Sequence, residues 1–235
     1  MRVQDQPVPM RRAWRSGWIG LGVLAVAGVM ALLLPLNAVV REGGPLETLH
    51  LLCWCAASVA AFVLAGLGGL PARERVLRCW LGLLALLAAA RELDLHEKLN
   101  PERGPLGDWG VRYRLDWWLD PAMPLGAKLV WAVIGVMLAA VLIAPPLWAR
   151  PRWPRLMLRG HAAYWLMAMG TGLVVAGYVA DDFLGRGQFV SVDTSQLVEE
   201  LLESAGVGLV LAGVVAVGRA WLTAEPARVP ERSAE

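Results

Sequence analysis

Between Arg91 and His96 the sequence reads R-E-L-D-L-H, at the end of a long apolar run, and this spacing can do chemistry. Glu92 and His96 are four residues apart and would share one face of a helix, while Arg91 and Asp94 are three apart and can pair locally. Late in the chain Glu199 and Glu203 repeat the four-residue spacing, with Glu200 beside them. Histidine with carboxylates is a donor set for zinc, or for manganese or iron when more oxygens join. On that reading His96, Glu203, Glu199 and Asp181 are the candidate metal ligands. Glu92 and Asp94 are further ligands or a general base, and Arg91 orients carboxylates or a substrate anion. A metal-bound water would then be a nucleophile near neutral pH. The competing reading is a hydrated salt-bridge network that ties helix ends together.

These groups matter because of where the elements must put them. The chain is 57% hydrophobic with a mean hydropathy of +0.51, and only 18% of its residues are charged. Such a composition points to a membrane protein. Six apolar segments approach the roughly 20 residues a helix needs to cross a bilayer: 18–40, 49–70, 77–98, 125–148, 160–180 and 197–222. The expected fold is all-α, an integral membrane bundle of six transmembrane helices over 1–222, with a disordered tail at 223–235. The first segment follows a basic stretch but is too long for a signal h-region and lacks a clean cleavage site, so it reads as a retained span.

Two spans are short in apolar residues alone. The uninterrupted core of the third is 79–90 and that of the sixth is 205–218. These cover only about 18 and 21 Å of a hydrocarbon layer roughly 30 Å thick. The third helix is therefore expected to continue through RELDLH to Lys98, and the sixth to recruit Glu203, Glu200 and Glu199. The fifth span ends at the same level with Asp181 and Asp182, the second begins there with His50, and the fourth starts with Lys128. Acids outnumber bases at this level, so something must neutralise them: protonation, water or a bound cation. Asp193 and Gln196 would cap the sixth span, which places Glu199 and Glu200 in its first turns, where the helix dipole favours them.

Basic residues set the orientation. With six spans, 14 of the 22 lysines and arginines fall on the side of both termini, and 15 of the 20 acids fall on the other. By the positive-inside rule the termini are cytoplasmic, and the acid-histidine level faces the periplasm or exterior. The expected location is a bacterial inner membrane; the Ala-, Leu-, Gly- and Arg-rich composition suggests a GC-rich bacterial genome. The near-neutral charge gives no sign of nucleic-acid binding. Cys53, Cys55 and Cys79 form neither a metal spacing nor a disulfide framework. His161 belongs to the cytoplasmic end of the fifth span and cannot join the outer cluster. Ala168, Gly172 and Ala176, and likewise Gly208, Ala212 and Ala216, repeat every four residues and would let helices approach closely. Pro145 and Pro146 should kink or end the fourth span.

At Arg91–Leu99 and Glu199–Glu203 the sequence resembles a group of uncharacterised bacterial multi-pass membrane proteins. That group carries an R-E-x-D-x-H motif on one helix and an E-E-x-x-E motif on the last. The resemblance covers these two patches and the general topology, and implies no activity. More distantly, the layout resembles the alkaline ceramidase and adiponectin-receptor group of intramembrane zinc hydrolases. That group also has a late His-x-x-x-His pair, which this sequence lacks. The functional expectation is an outer-face polar site in a small membrane protein. In its enzymatic form it is a metal-dependent hydrolase of a lipid or other amphiphile. The alternatives are a proton- or cation-coupled transporter, and a non-catalytic scaffold or accessory subunit that partners other membrane proteins.

Overall fold

The computed structural model describes residues 10–39, 43–67, 70–93, 95, 118–150, 152–184 and 191–222. No strand occurs among them. In chain order the helices are α1 (Met10–Leu33), α2 (Leu36–Val39), α3 (Pro45–Gly66), α4 (Ala72–Glu92), α5 (Leu125–Ala149), α6 (Trp153–Leu158), α7 (Ala162–Leu184) and α8 (Val192–Leu222). Four segments are long and apolar enough to cross a membrane: Ser16–Leu33, Pro45–Gly66, Leu125–Ala149 and Asp193–Gly218. In α7 the apolar run is shorter, Ala162–Gly177. The remaining long helix, α4, carries charges at both ends, from Arg73 to Arg78 and at Arg91 and Glu92. The proposed tail at 223–235 lies outside the described residues.

Local chemistry explains several boundaries. Gly43 adopts φ +70°, a left-handed conformation that glycine tolerates without strain, and turns the chain into α3. Pro45 then opens the helix, at a position where its missing N–H is no loss. The Glu47 carboxylate accepts the Gly43 N–H at 2.5 Å, and Thr48 Oγ1 donates to the Gly44 carbonyl. At the end of α6, Gly160 has φ +79°. The Gly160 N–H donates to Met157 and the His161 N–H to Leu156. This paired bonding satisfies the last carbonyls and reverses the chain into α7.

The start of α8 departs from expectation. The helix begins at Val192, and Ser191 takes the capping position: its Oγ accepts the Thr194 N–H at 3.3 Å and lies 2.7 Å from Thr194 Oγ1. Asp193 and Gln196 are therefore inside the helix. Glu199, Glu200 and Glu203 sit two to three turns in, at about 3.6 residues per turn, beyond the reach of the end dipole. The third span differs as well, since α4 ends at Glu92. Glu92 is thus delivered by the helix terminus itself.

Helix α8 is the centre of the bundle and packs against α7, α1 and α3; α4 packs on α3, and α5 on α4. Small residues decide how close α7 comes. A Cβ on Gly170 would meet the Gly206 carbonyl oxygen at 2.5 Å, and a Cβ on Gly206 would meet that of Gly170 at 2.6 Å. Gly213 faces the Ala163 carbonyl, and Gly177 faces that of Glu199. Contacts thus recur every seven residues on both antiparallel helices, a spacing that holds one seam in register. This seam corrects the four-residue repeat expected on the fifth span. Gly172 has open space around it and Ala176 is exposed. Gly208 is buried as expected and meets Gly20 and Val23 of α1.

Pro145 and Pro146 do not end α5, which runs on to Ala149 and stops at Arg150 in a left-handed conformation. A proline at 145 cannot bond the carbonyl of residue 141. The Trp80 indole N–H of α4 donates to that Val141 carbonyl at 3.1 Å. A polar group left over by the proline thereby becomes the link between α4 and α5.

Candidate functional site

Three helices converge on a buried imidazole. His50 lies on the second turn of α3 and is fully buried. Glu92 arrives from the end of α4, and Glu200 and Glu203 from one face of α8. His50 Nδ1 is 3.7 Å from Glu92 Oε2, 3.6 Å from Glu200 Oε2 and 3.6 Å from Glu203 Oε2. All three distances exceed hydrogen-bond length. Nδ1 therefore makes no hydrogen bond while it faces three carboxylate oxygens. The other ring nitrogen is engaged, with Nε2 2.7 Å from Ser204 Oγ.

Packing holds these groups in place. Ala27, Val39 and Leu46 form an apolar cluster supported by Leu49, Leu197 and Leu201; Leu49 and Leu201 are the sequence neighbours of His50 and Glu200. Behind Glu203, α7 presents no side chain: a Cβ at Gly177 would stand 3.1 Å from Glu203 Cγ. The α7 backbone thus backs the stem of Glu203. Arg91 closes the other side, its Nη1 3.7 Å from Glu92 Oε1 and 3.8 Å from Glu203 Oε1. With 47% of its side chain exposed, against 6% for each glutamate, Arg91 marks the solvent-side edge of the cluster.

His50, Glu92 and Glu203 each offer one donor atom, and these atoms lie within 4.8 Å of one another. In a tetrahedral zinc site with bonds near 2.1 Å, neighbouring donors are about 3.4 Å apart. Separations of 3.6–3.7 Å are thus close to the edge of a coordination polyhedron and too long for direct hydrogen bonding. Charge points the same way. Three carboxylates face one guanidinium in a region shielded from water, and uncompensated buried charge is costly. A dication would balance the set, as would an imidazolium together with one protonated glutamate.

Of the residues singled out by sequence, Glu92 and Glu203 meet in this cluster and Arg91 borders it. Glu199 lies on α8 with its carbonyl toward Gly177, and its carboxylate is not among the three donors. Asp94 and His96 lie outside the described residues, and so does the side chain of Asp181. The sequence reading grouped His50 and Glu200 with Glu92 and Glu203 but gave His50 no role in the site, and it missed Ser204 as its partner. One signal was present: a histidine two turns into an otherwise apolar helix needs a partner. His161 sits at the opposite end of α7 from Gly177, about 24 Å along the helix axis, and its ring lies 6.3 Å from that of Tyr164.

Comparison of the chain with known protein families, characterised proteins and solved structures finds no match.

Proposed function

We propose that this is a six-span integral membrane protein with cytoplasmic termini that binds one divalent metal ion through His50, Glu92 and Glu203 near its outer face. The observation that carries the reading is the bare, fully buried Nδ1 of His50 set among three carboxylate oxygens. An imidazole and two carboxylates are a donor set for zinc or manganese. A metal held by these three residues would have room for a water and would make that water more acidic.

The reaction class that fits is hydrolysis of a lipid or other amphiphile presented from the membrane. Glu200 is the carboxylate next to the donor set and serves as proton acceptor for the attacking water. The water oxygen bonds to the acyl or phosphoryl centre, the bond to the leaving oxygen breaks, and Glu200 returns the proton to that oxygen. Arg91, at the exposed edge, holds negative charge on the substrate.

The test is metal content and titration of the purified full-length chain with Zn²⁺ and Mn²⁺. The expected result is one metal per chain, lost in His50→Ala and Glu203→Gln. Absence of metal as isolated, together with no binding on titration, overturns the reading. A second reading, proton- or cation-coupled transport, is favoured by Glu200 Oε2, which is buried without a hydrogen bond beside His50. It predicts cation-dependent uptake that is lost in Glu203→Gln while the protein stays metal-free.

A further inference from the structure

We infer that Ser204 is the positioning residue that fixes which face of the His50 ring is available, by accepting the Nε2–H and leaving the Nδ1 lone pair for a metal ion. The inference rests on the metal reading of the site and specifies how the chain prepares it. Both residues are fully buried, and Nε2 and Oγ are 2.7 Å apart, so this bond is sheltered from water. Neutral imidazole carries one proton, on either nitrogen, and the partner of one nitrogen sets the state of the other. If Oγ donated to Nε2, the proton would sit on Nδ1 and occupy the space between the three carboxylates. If Oγ accepts, Nδ1 is a lone pair aimed at that space, which is what a ligand requires.

Placement on the helices makes the device specific. Ser204 directly follows Glu203, so one turn of α8 supplies both a metal-facing carboxylate and the partner of the opposing imidazole. His50 is gripped from α8 at Nε2 and faces α4 and α8 at Nδ1, so its ring plane is set by two helices. Any shift of α8 moves ligand and orienter together. Partners of ligating histidines act in this way: their removal typically weakens metal binding about 10–100-fold while leaving the ligands in place.

The experiment uses the full chain in detergent or nanodiscs, titrated with Zn²⁺ and Co²⁺. The ¹⁵N signals of its histidines are recorded with and without Zn²⁺, and His50→Gln assigns the His50 ring. In the wild type the expected signals are a protonated Nε2 in both states and a metal-bound Nδ1 after addition. Ser204→Ala should raise the Zn²⁺ Kd about 10–100-fold and alter the Co²⁺ absorption bands, and Ser204→Thr should restore both. Unchanged affinity and unchanged ring protonation in Ser204→Ala overturn the inference, as does Zn²⁺ bound through Nε2. Failure of the wild type to bind any metal overturns the parent reading instead, and the ring protonation in metal-free wild type and Ser204→Ala then still decides the role of Ser204. If Ser204→Ala does not fold, Ser204→Cys provides the same comparison with a weaker acceptor.

Discussion

Gly170 and Gly206 bring the backbones of α7 and α8 together so closely that neither position has room for a methyl group. Gly170→Ala or Gly206→Ala must therefore separate the helices. Each should lower stability by about 1–3 kcal/mol, the usual range for overpacking. Gly172→Ala has open space and should leave stability unchanged or slightly raised. Unfolding midpoints in detergent check the contrast. Equal losses at all three positions would mean that the seam does not pass through Gly170.

Among the described residues, His50 is the base placed inside the trio of acids, and Arg91 stands at their margin. Removal of the imidazole leaves glutamates facing one another in a dry setting, so His50→Leu should cost about 3 kcal/mol. Adding Glu200→Gln to that variant should recover part of the loss, because it deletes one of the repelling charges. A double-mutant cycle on unfolding free energies reads the coupling, expected to exceed about 0.5 kcal/mol for groups in contact. Simple additivity would mean that His50 and Glu200 do not interact.

Trp80 and Pro145 form a second testable pair without touching the site. Trp80→Phe removes the donor to the Val141 carbonyl and should cost about 0.5–1.5 kcal/mol. Pro145→Ala restores an N–H that can bond the same carbonyl within α5. In that background Trp80→Phe should lose most of its effect. If its cost is the same in both backgrounds, the indole contributes through packing alone.

Topology can be tested by chemistry at single thiols. With Cys53, Cys55 and Cys79 replaced, the Ala122→Cys variant should react with a membrane-impermeant maleimide in intact cells. The Ala72→Cys variant should react only after permeabilisation. Both positions are exposed at helix entrances and, in a six-span arrangement, lie on opposite sides. Reaction of Ala72→Cys in intact cells would reverse the assigned orientation.

Much of this organisation was legible before any coordinates. Apolar length located the long helices, and the shortage of apolar residues before Glu92 and after Glu203 located the charged level. The identity of the central residue was not legible, because His50 is isolated among apolar neighbours, whereas RELDLH crowds its charges into one turn. Spacing within one helix reveals partners on that helix; His50 meets its partners across 42 and 153 residues of chain, which only tertiary packing brings together. The start of α8 was misplaced for a local reason, since Ser191 caps the helix before the apolar pattern begins. The seven-residue seam was obscured by the many glycines and alanines, which fit a four-residue repeat equally well.

Because α8 touches α1, α3 and α7 and is the last of these helices to leave the ribosome, the order of synthesis has a structural consequence. Until α8 is made, His50 and Glu92 have no serine, no second glutamate and no glycine seam to meet. They stay without those partners until α8 packs against α3. Arrival of α8 thus completes the polar cluster, because Glu200, Glu203 and Ser204 all come from it.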